Sequence, residues 1–167
     1  MRTERWAIHM HKEYFKFSCA HFLIFPDGSK ERLHGHNYYV DAKIEGQLTD
    51  KGIVIDFTQV KPVIRELCDS LDEYWLVPGE HSGLTVEPHD DGHTEICYRE
   101  CRYLVPSDEI IVLPINNTSA ENLAAWIGRE LVKRIGERFG KSQIQRLELA
   151  VSEASGQWGV YHYSESD

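Results

Sequence analysis

A chain of 167 residues is long enough to bury a core of its own and is expected to form one domain over residues 1–167. Its composition, 41% hydrophobic and 27% charged, is that of a globular protein, and a net charge of −9 argues against nucleic acid or an anionic membrane as partner. No apolar run approaches a membrane span, no apolar signal core follows Arg2, Glu4 and Arg5, and Cys19, Cys68, Cys97 and Cys101 are not spaced as a disulfide framework. The expected setting is therefore reduced and cytoplasmic.

Residues 5–21 alternate well enough for a long strand, with Phe15, Phe17, Cys19 and His21 on one face. A turn at Phe25-Pro26-Asp27-Gly28 separates it from a second strand over residues 33–46. That strand opens with Leu33-His34-Gly35-His36-Asn37-Tyr38, and alternation turns His34 and His36 to the same side. If the two strands pair, His21 lies beside them, and three neutral imidazoles with a fourth position open are a catalytic zinc arrangement. An H-x-H pair alone is a weak signal; the third histidine strengthens it.

Asp50-Lys51-Gly52 turns the chain toward a helix that starts near Asp56 to Thr58 and runs to about Leu71. Val60, Ile64, Leu67 and Leu71 form its buried stripe, and Pro62 is tolerable only near the first turn. Thr118-Ser119-Ala120-Glu121 reads as a capping box for a second helix, striped by Leu123, Ile127, Leu131 and Ile135 and ended by Gly140. Residues 143–153 and 157–163 are the last two strands, and Ser164 to Asp167 form a polar, frayed tail. The order is β-β-α-(insert)-α-β-β, an α+β pattern with an antiparallel sheet.

The insert spans about residues 78–113 and holds a short hairpin, Thr94–Tyr98 with Arg102–Val105. His89, His93, Cys97 and Cys101 recur every four residues, but Pro88 and Gly92 oppose a helix. The segment reads as a surface excursion that binds nothing.

Six segments in register resemble the 6-pyruvoyl-tetrahydropterin synthase and 6-carboxy-tetrahydropterin synthase family: Phe17–His21, Leu33–Tyr38, Gly52–Phe57, Leu71-Asp72, Ser119–Ala124 and Val151–Glu153. The resemblance implies a T-fold, a four-stranded antiparallel sheet with two helices on one face, joined edge to edge into trimeric barrels that stack as a homo-hexamer with sites between subunits. It implies a pterin substrate, 7,8-dihydroneopterin triphosphate, and Zn2+ held by His21, His34 and His36 as a Lewis acid. It also implies Glu153 as the anchor for pterin-ring N–H groups, with Thr118 and Ser119 capping the second helix, touching the ring, or both.

Two departures bear on chemistry. The family's catalytic cysteine, four residues before H-G-H, is Lys30 here, and the histidine that follows Leu-Asp is Glu73, leaving Asp72 without its partner. Glu31 lies three residues before His34, the spacing at which a folate-making branch of the family carries a glutamate and yields 6-hydroxymethyl-7,8-dihydropterin. A partly desolvated carboxylate beside zinc can act as general base; Lys30 can do so only with a strongly lowered pKa, and the charged turn Lys30-Glu31-Arg32 can equally be solvated surface. Cys19 shares the His21 face and reads as packing more readily than as a catalytic thiol. The expectation is a zinc-dependent lyase of queuosine-type or folate-type pterin chemistry, with a non-catalytic pterin-binding T-fold protein as the alternative.

Overall fold

The computed structural model describes residues 4–140 and 144–165. Strands β1 (Trp6–His21) and β2 (His34–Gly46) pair antiparallel over most of their length. Helix α1 (Phe57–Asp69) and strands β3 (Tyr74–Pro78), β4 (Leu84–Pro88), β5 (His93–Tyr98), β6 (Cys101–Pro106) and β7 (Ile110–Leu113) follow. The chain closes with helix α2 (Ala120–Phe139) and the hairpin β8 (Arg146–Ala154) and β9 (Gln157–Ser164). The α+β class and the T-fold are as expected, and β1, β2, β8 and β9 are the antiparallel part of the sheet. The sheet is larger than those four strands, however. Among the described residues it has six, in the order β7-β3-β1-β2-β8-β9, because β3 adds parallel to β1 and β7 adds parallel to β3.

One face of this sheet is apolar and carries both helices. Phe15, Phe17, Tyr38, Val40, Ala42 and Ile44 are buried against Val60, Ile64 and Leu67 of α1 and Leu123, Ile127 and Leu131 of α2. The long first strand reaches this phase through a bulge. Between His11 and Lys16 it advances five residues while β2 advances two, from Asp41 to Tyr39. Such an insertion moves the side-chain alternation, so Met10 and Phe15 are both buried although they are an odd number of residues apart. An unbroken alternation over residues 5–21 is thus corrected to two phases.

Asp56 caps α1 by accepting from the Thr58 backbone N–H at 2.7 Å. Pro62 lies inside the helix, beyond the first turn, where it denies the Thr58 carbonyl a donor; the helix ends at Asp69 with Leu71 buried just past it. In α2 the cap is Ser119, whose Oγ accepts from the Asn122 N–H at 3.3 Å. The capping box read at Thr118–Glu121 is therefore displaced by one residue, because Thr118 is fully buried and its hydroxyl donates to the Phe22 carbonyl at 3.0 Å. Gly159 of β9 permits a close approach to this helix start, since a Cβ there would lie 2.3 Å from the Ala120 carbonyl carbon.

The insert is more ordered than a surface excursion. Its strands make a separate sheet, β4-β5-β6, containing the expected hairpin. Ile96 and Tyr98 of that sheet share an apolar cluster with Phe22, Ile24, Trp75 and Val77 of the main body. Cys97 and Cys101 are free thiols in this hairpin. Among the described residues no helix is long and apolar enough to cross a membrane. Gln143, the expected start of the penultimate strand, and Ser166 and Asp167 of the expected frayed tail lie outside the described residues; Ser164 belongs to β9.

Candidate metal centre and active site

The apolar face of the sheet runs directly into a histidine group. Phe17 stacks on Tyr38 with ring centroids 5.0 Å apart, and one step further along the same face stand His21, His34 and His36. The register aligns His21 with His34 and Cys19 with His36, so one side of a two-strand ribbon presents all three rings. Glu153, beside the β8 bulge, completes the set: one ligand atom from each of the four residues lies within 4.8 Å of the others. Among the described residues this is the one such group of histidine, cysteine and acidic side chains.

The outer nitrogens of two rings are fixed by backbone carbonyls. His21 Nδ1 lies 3.1 Å from the Thr118 oxygen and His34 Nδ1 lies 2.7 Å from the Arg32 oxygen. A neutral imidazole that donates from Nδ1 turns a lone pair inward from Nε2. Those inward atoms crowd together: His34 Nε2 is 2.9 Å from His36 Nε2, and Glu153 Oε1 is 3.2 Å from His21 Nε2 and 3.4 Å from His36 Nε2. Inward lone pairs and a carboxylate gathered this closely are satisfied by a proton on the His36 ring or by a cation among them. The spacings bracket the ~3.3 Å between ligands of a tetrahedral zinc with bonds of about 2.0–2.1 Å. The donor set therefore fits a divalent metal ion.

Burial holds the His21 imidazole below its ordinary pKa, against the opposing pull of Glu153, and so keeps the ring neutral and ligand-competent. Tyr38 sits behind the group. Its hydroxyl is 3.1 Å from His21 Nε2 and donates to Glu153 Oε1 at 3.3 Å, and burial drives its pKa far upward, so it remains a donor. No role was read for Tyr38 from the sequence, although alternation from His36 places it on the same face. The Thr118 carbonyl and the Arg32 carbonyl were not foreseen either, because backbone groups leave no mark in residue type.

The remaining expected site residues are placed as follows. Glu31 stands at the rim of the histidine group, with Oε2 at 3.9 Å from His34 Nε2 and accepting from the Leu23 N–H at 3.1 Å. Lys30 is turned elsewhere. Its ammonium donates to the Tyr103 hydroxyl at 2.9 Å and lies 4.6 Å above the Phe22 ring, away from the histidine group. Asp72 accepts from the Ser18 N–H at 2.6 Å, and Glu73 follows with φ +65°, its own N–H donating to the Ser18 carbonyl. This strained corner is pinned to β1, and Glu73 lines a hollow of about 540 Å³ together with Cys19 and His36. Among the described residues neither acid hydrogen-bonds to the histidine group. Ser119 borders a second hollow of about 620 Å³, whereas Thr118, fully buried, serves His21 through its carbonyl. Burial pushes the Cys19 thiol up to about 12, which suits packing and not nucleophilic work.

Fold and site together define an α+β T-fold protein with a histidine-built centre suited to a metal ion. The sequence profile of 6-pyruvoyl tetrahydropterin synthase matches residues 9–164, and the chain belongs to that family. A relative in Methanocaldococcus jannaschii, named as a putative 6-carboxy-5,6,7,8-tetrahydropterin synthase, is 34% identical over 147 residues, covering 87% of this chain and 88% of its own. The 6-pyruvoyl tetrahydropterin synthase of Plasmodium falciparum superposes with a TM-score of 0.90 at 30% identity, over 98% of this chain and all of the other. That of Plasmodium vivax gives 0.89 at 28% identity with the same coverage. Two further structures of the Plasmodium vivax protein are variants in which a glutamate described as a catalytic residue is replaced by alanine or by cysteine.

Proposed function

We propose that this chain is a zinc-dependent lyase that cleaves the side chain of 7,8-dihydroneopterin triphosphate, with Glu31 as general base and 6-hydroxymethyl-7,8-dihydropterin as product. The observation that carries the reading is the Glu31 carboxylate at 3.9 Å from His34 Nε2, in a chain that has Lys30 where the family's cysteine would stand. A glutamate described as catalytic in the Plasmodium vivax protein supports it.

His21, His34 and His36 would hold the zinc, which when bound supplies a Lewis acid that acidifies a side-chain hydroxyl of the substrate. Glu31 then takes the proton of the second side-chain hydroxyl. As that oxygen closes to a carbonyl, the bond between the first and second side-chain carbons breaks and its electron pair passes into the dihydropterin ring. The proton returns to the first carbon, giving the hydroxymethyl-pterin and a triphosphorylated two-carbon aldehyde. Glu153 makes its protein contacts through Oε1, which leaves Oε2 for a ring N–H, and Tyr38 holds that carboxylate in place. Asp72, accepting from the Ser18 N–H, would pin to β1 the corner from which Glu73 reaches the hollow beside Cys19 and His36, and by the family's architecture such a site would lie between subunits of a homo-hexamer.

Replacement of Glu31 by Gln tests the assignment. Glutamine retains an acceptor for the Leu23 N–H but cannot take a proton, so kcat falls by about 10²–10⁴-fold while pterin affinity and zinc content stay the same. Wild-type turnover in that variant would exclude Glu31 as the base.

A further inference from the structure

The loop between β1 and β2 holds Glu31. Its first residues are anchored outside the insert, where Asn117 accepts from the Ile24 N–H at 3.2 Å and donates to the Ile24 carbonyl at 2.8 Å, and Thr118 Oγ1 donates to the Phe22 carbonyl at 3.0 Å. Among the described residues the stretch from Phe25 to Glu31 lacks such anchors from the segment leading into α2. Its internal hydrogen bonds are short-range, such as Phe25 N–H to the Ser29 carbonyl and Glu31 N–H to the Leu23 carbonyl. The insert sheet, which has no part in the chemistry above, grips this loop at two points.

At the loop tip, the Tyr98 hydroxyl donates to the Gly28 carbonyl at 2.9 Å. Gly28 has φ +82°, and a Cβ there would fall 1.7 Å from Arg99 Nη2, so the β5–β6 turn lies directly against the loop. At the loop's return, Lys30 joins the two parts of the molecule. Its ammonium donates both to Tyr103 Oη of β6 at 2.9 Å and to the Glu31 carbonyl at 2.8 Å. It sits over the ring of Phe22 at 4.6 Å and that of Tyr103 at 5.4 Å. Tyr103 is itself wedged, near-parallel to Phe22 with centroids 6.1 Å apart and edge-on to Trp75 at 5.2 Å.

We infer that the insert sheet is a clamp that positions Glu31, with Tyr103 acting through Lys30. Through it the Glu31 carbonyl is fastened by the Lys30 ammonium; the Leu23 backbone holds the Glu31 N–H and, by its own N–H, the carboxylate, and together these ties aim the carboxylate at His34. The arrangement assigns the Lys30 ammonium the task of bridging Tyr103 Oη and the Glu31 carbonyl, and the Tyr103 hydroxyl the task of holding that ammonium. Positioning of this kind matters because a displacement of about 1 Å at a reacting group can cost about 10²-fold in rate. The inference rests on Glu31 being the base, but it makes a separate structural claim.

The test uses the full-length zinc-loaded protein and two conservative variants, Tyr103→Phe, which removes one hydroxyl from an intact ring, and Lys30→Met, which keeps the stem and removes the ammonium. Amide hydrogen exchange of peptides covering residues 26–32 is expected to quicken several-fold in both, with peptides from β2 and from β4–β6 unchanged. On 7,8-dihydroneopterin triphosphate, kcat is expected to fall about tenfold at constant KM and zinc content, and Lys30→Arg to recover much of the loss. Wild-type exchange in residues 26–32 in both variants overturns the clamp whatever Glu31 does. Quickened exchange throughout the insert overturns it as well, since Tyr103 would then serve only packing. If instead Glu31→Gln turns over normally while the exchange pattern follows expectation, the base assignment falls and the clamp on the loop stands.

Discussion

Glu153 is where the two halves of the account, metal and pterin, meet, and its replacement by glutamine is the most informative single change. The carboxylate Oε1 lies 3.2 Å from His21 Nε2 and 3.4 Å from His36 Nε2, close enough to contribute a full negative charge to a cation held by the imidazoles. Glutamine preserves the volume and can still accept from Tyr38, which donates at 3.3 Å, so the fold is unaffected and only the charge is lost. Loss of a single partner that tunes a metal site lowers affinity by about 10–100-fold, equivalent to about 1.4–2.7 kcal/mol. The assay is a zinc titration of metal-free protein against a chromophoric chelator, without pterin, so that the ring anchoring proposed for the same residue does not enter. Zinc affinity equal to wild type would refute the argument that Glu153 is electrostatically part of the histidine centre.

Two further outcomes follow from the environments of single groups. Because the Cys19 thiol is pushed up to about 12, it stays protonated; Cys19→Ala should retain most activity, and a thiol reagent should spare Cys19 in the folded protein, with rapid labelling or lost turnover as the contrary result. His21 has a folded-state pKa below its ordinary value, so below about pH 6.5 the unfolded chain binds a proton that the folded one excludes. Stability of the chelator-treated protein should then be full above that pH and decline as pH falls, by at most about 1.4 kcal/mol per unit from this group, until the depressed folded pKa is passed. Chemical denaturation at a series of pH values checks this, and a His21→Phe variant that keeps the wild-type slope would contradict it.

The parts of the fold legible in the sequence are those set by local periodicity. Alternation in β2, the cap at the start of α1 and the stripe of α2 each depend on residues within a few positions of one another, and alternation also placed His34 and His36 together. The bulge in β1 was hidden because Lys12, Glu13 and Tyr14 within it are exposed, and side chains turned to solvent fit either phase of a strand. β3 and β7 escaped notice for a different reason: both are short and join in parallel, a pairing set by segments more than thirty residues apart and not by a turn. In the site, His21 was legible because a strand ended on it, whereas the orienting carbonyls of Thr118 and Arg32 are backbone groups. The contact between Lys30 and Tyr103 crosses 73 residues of chain and joins two segments that each read as ordinary surface.

Zinc-loaded protein incubated with 7,8-dihydroneopterin triphosphate, with the products identified by mass spectrometry, tests the central claim most directly. The expected products are 6-hydroxymethyl-7,8-dihydropterin and a triphosphorylated two-carbon aldehyde, abolished by chelation and restored by zinc. A carboxy- or pyruvoyl-pterin would contradict cleavage by Glu31, and intact substrate recovered from protein that holds both zinc and the pterin would contradict catalysis itself and leave a binding protein.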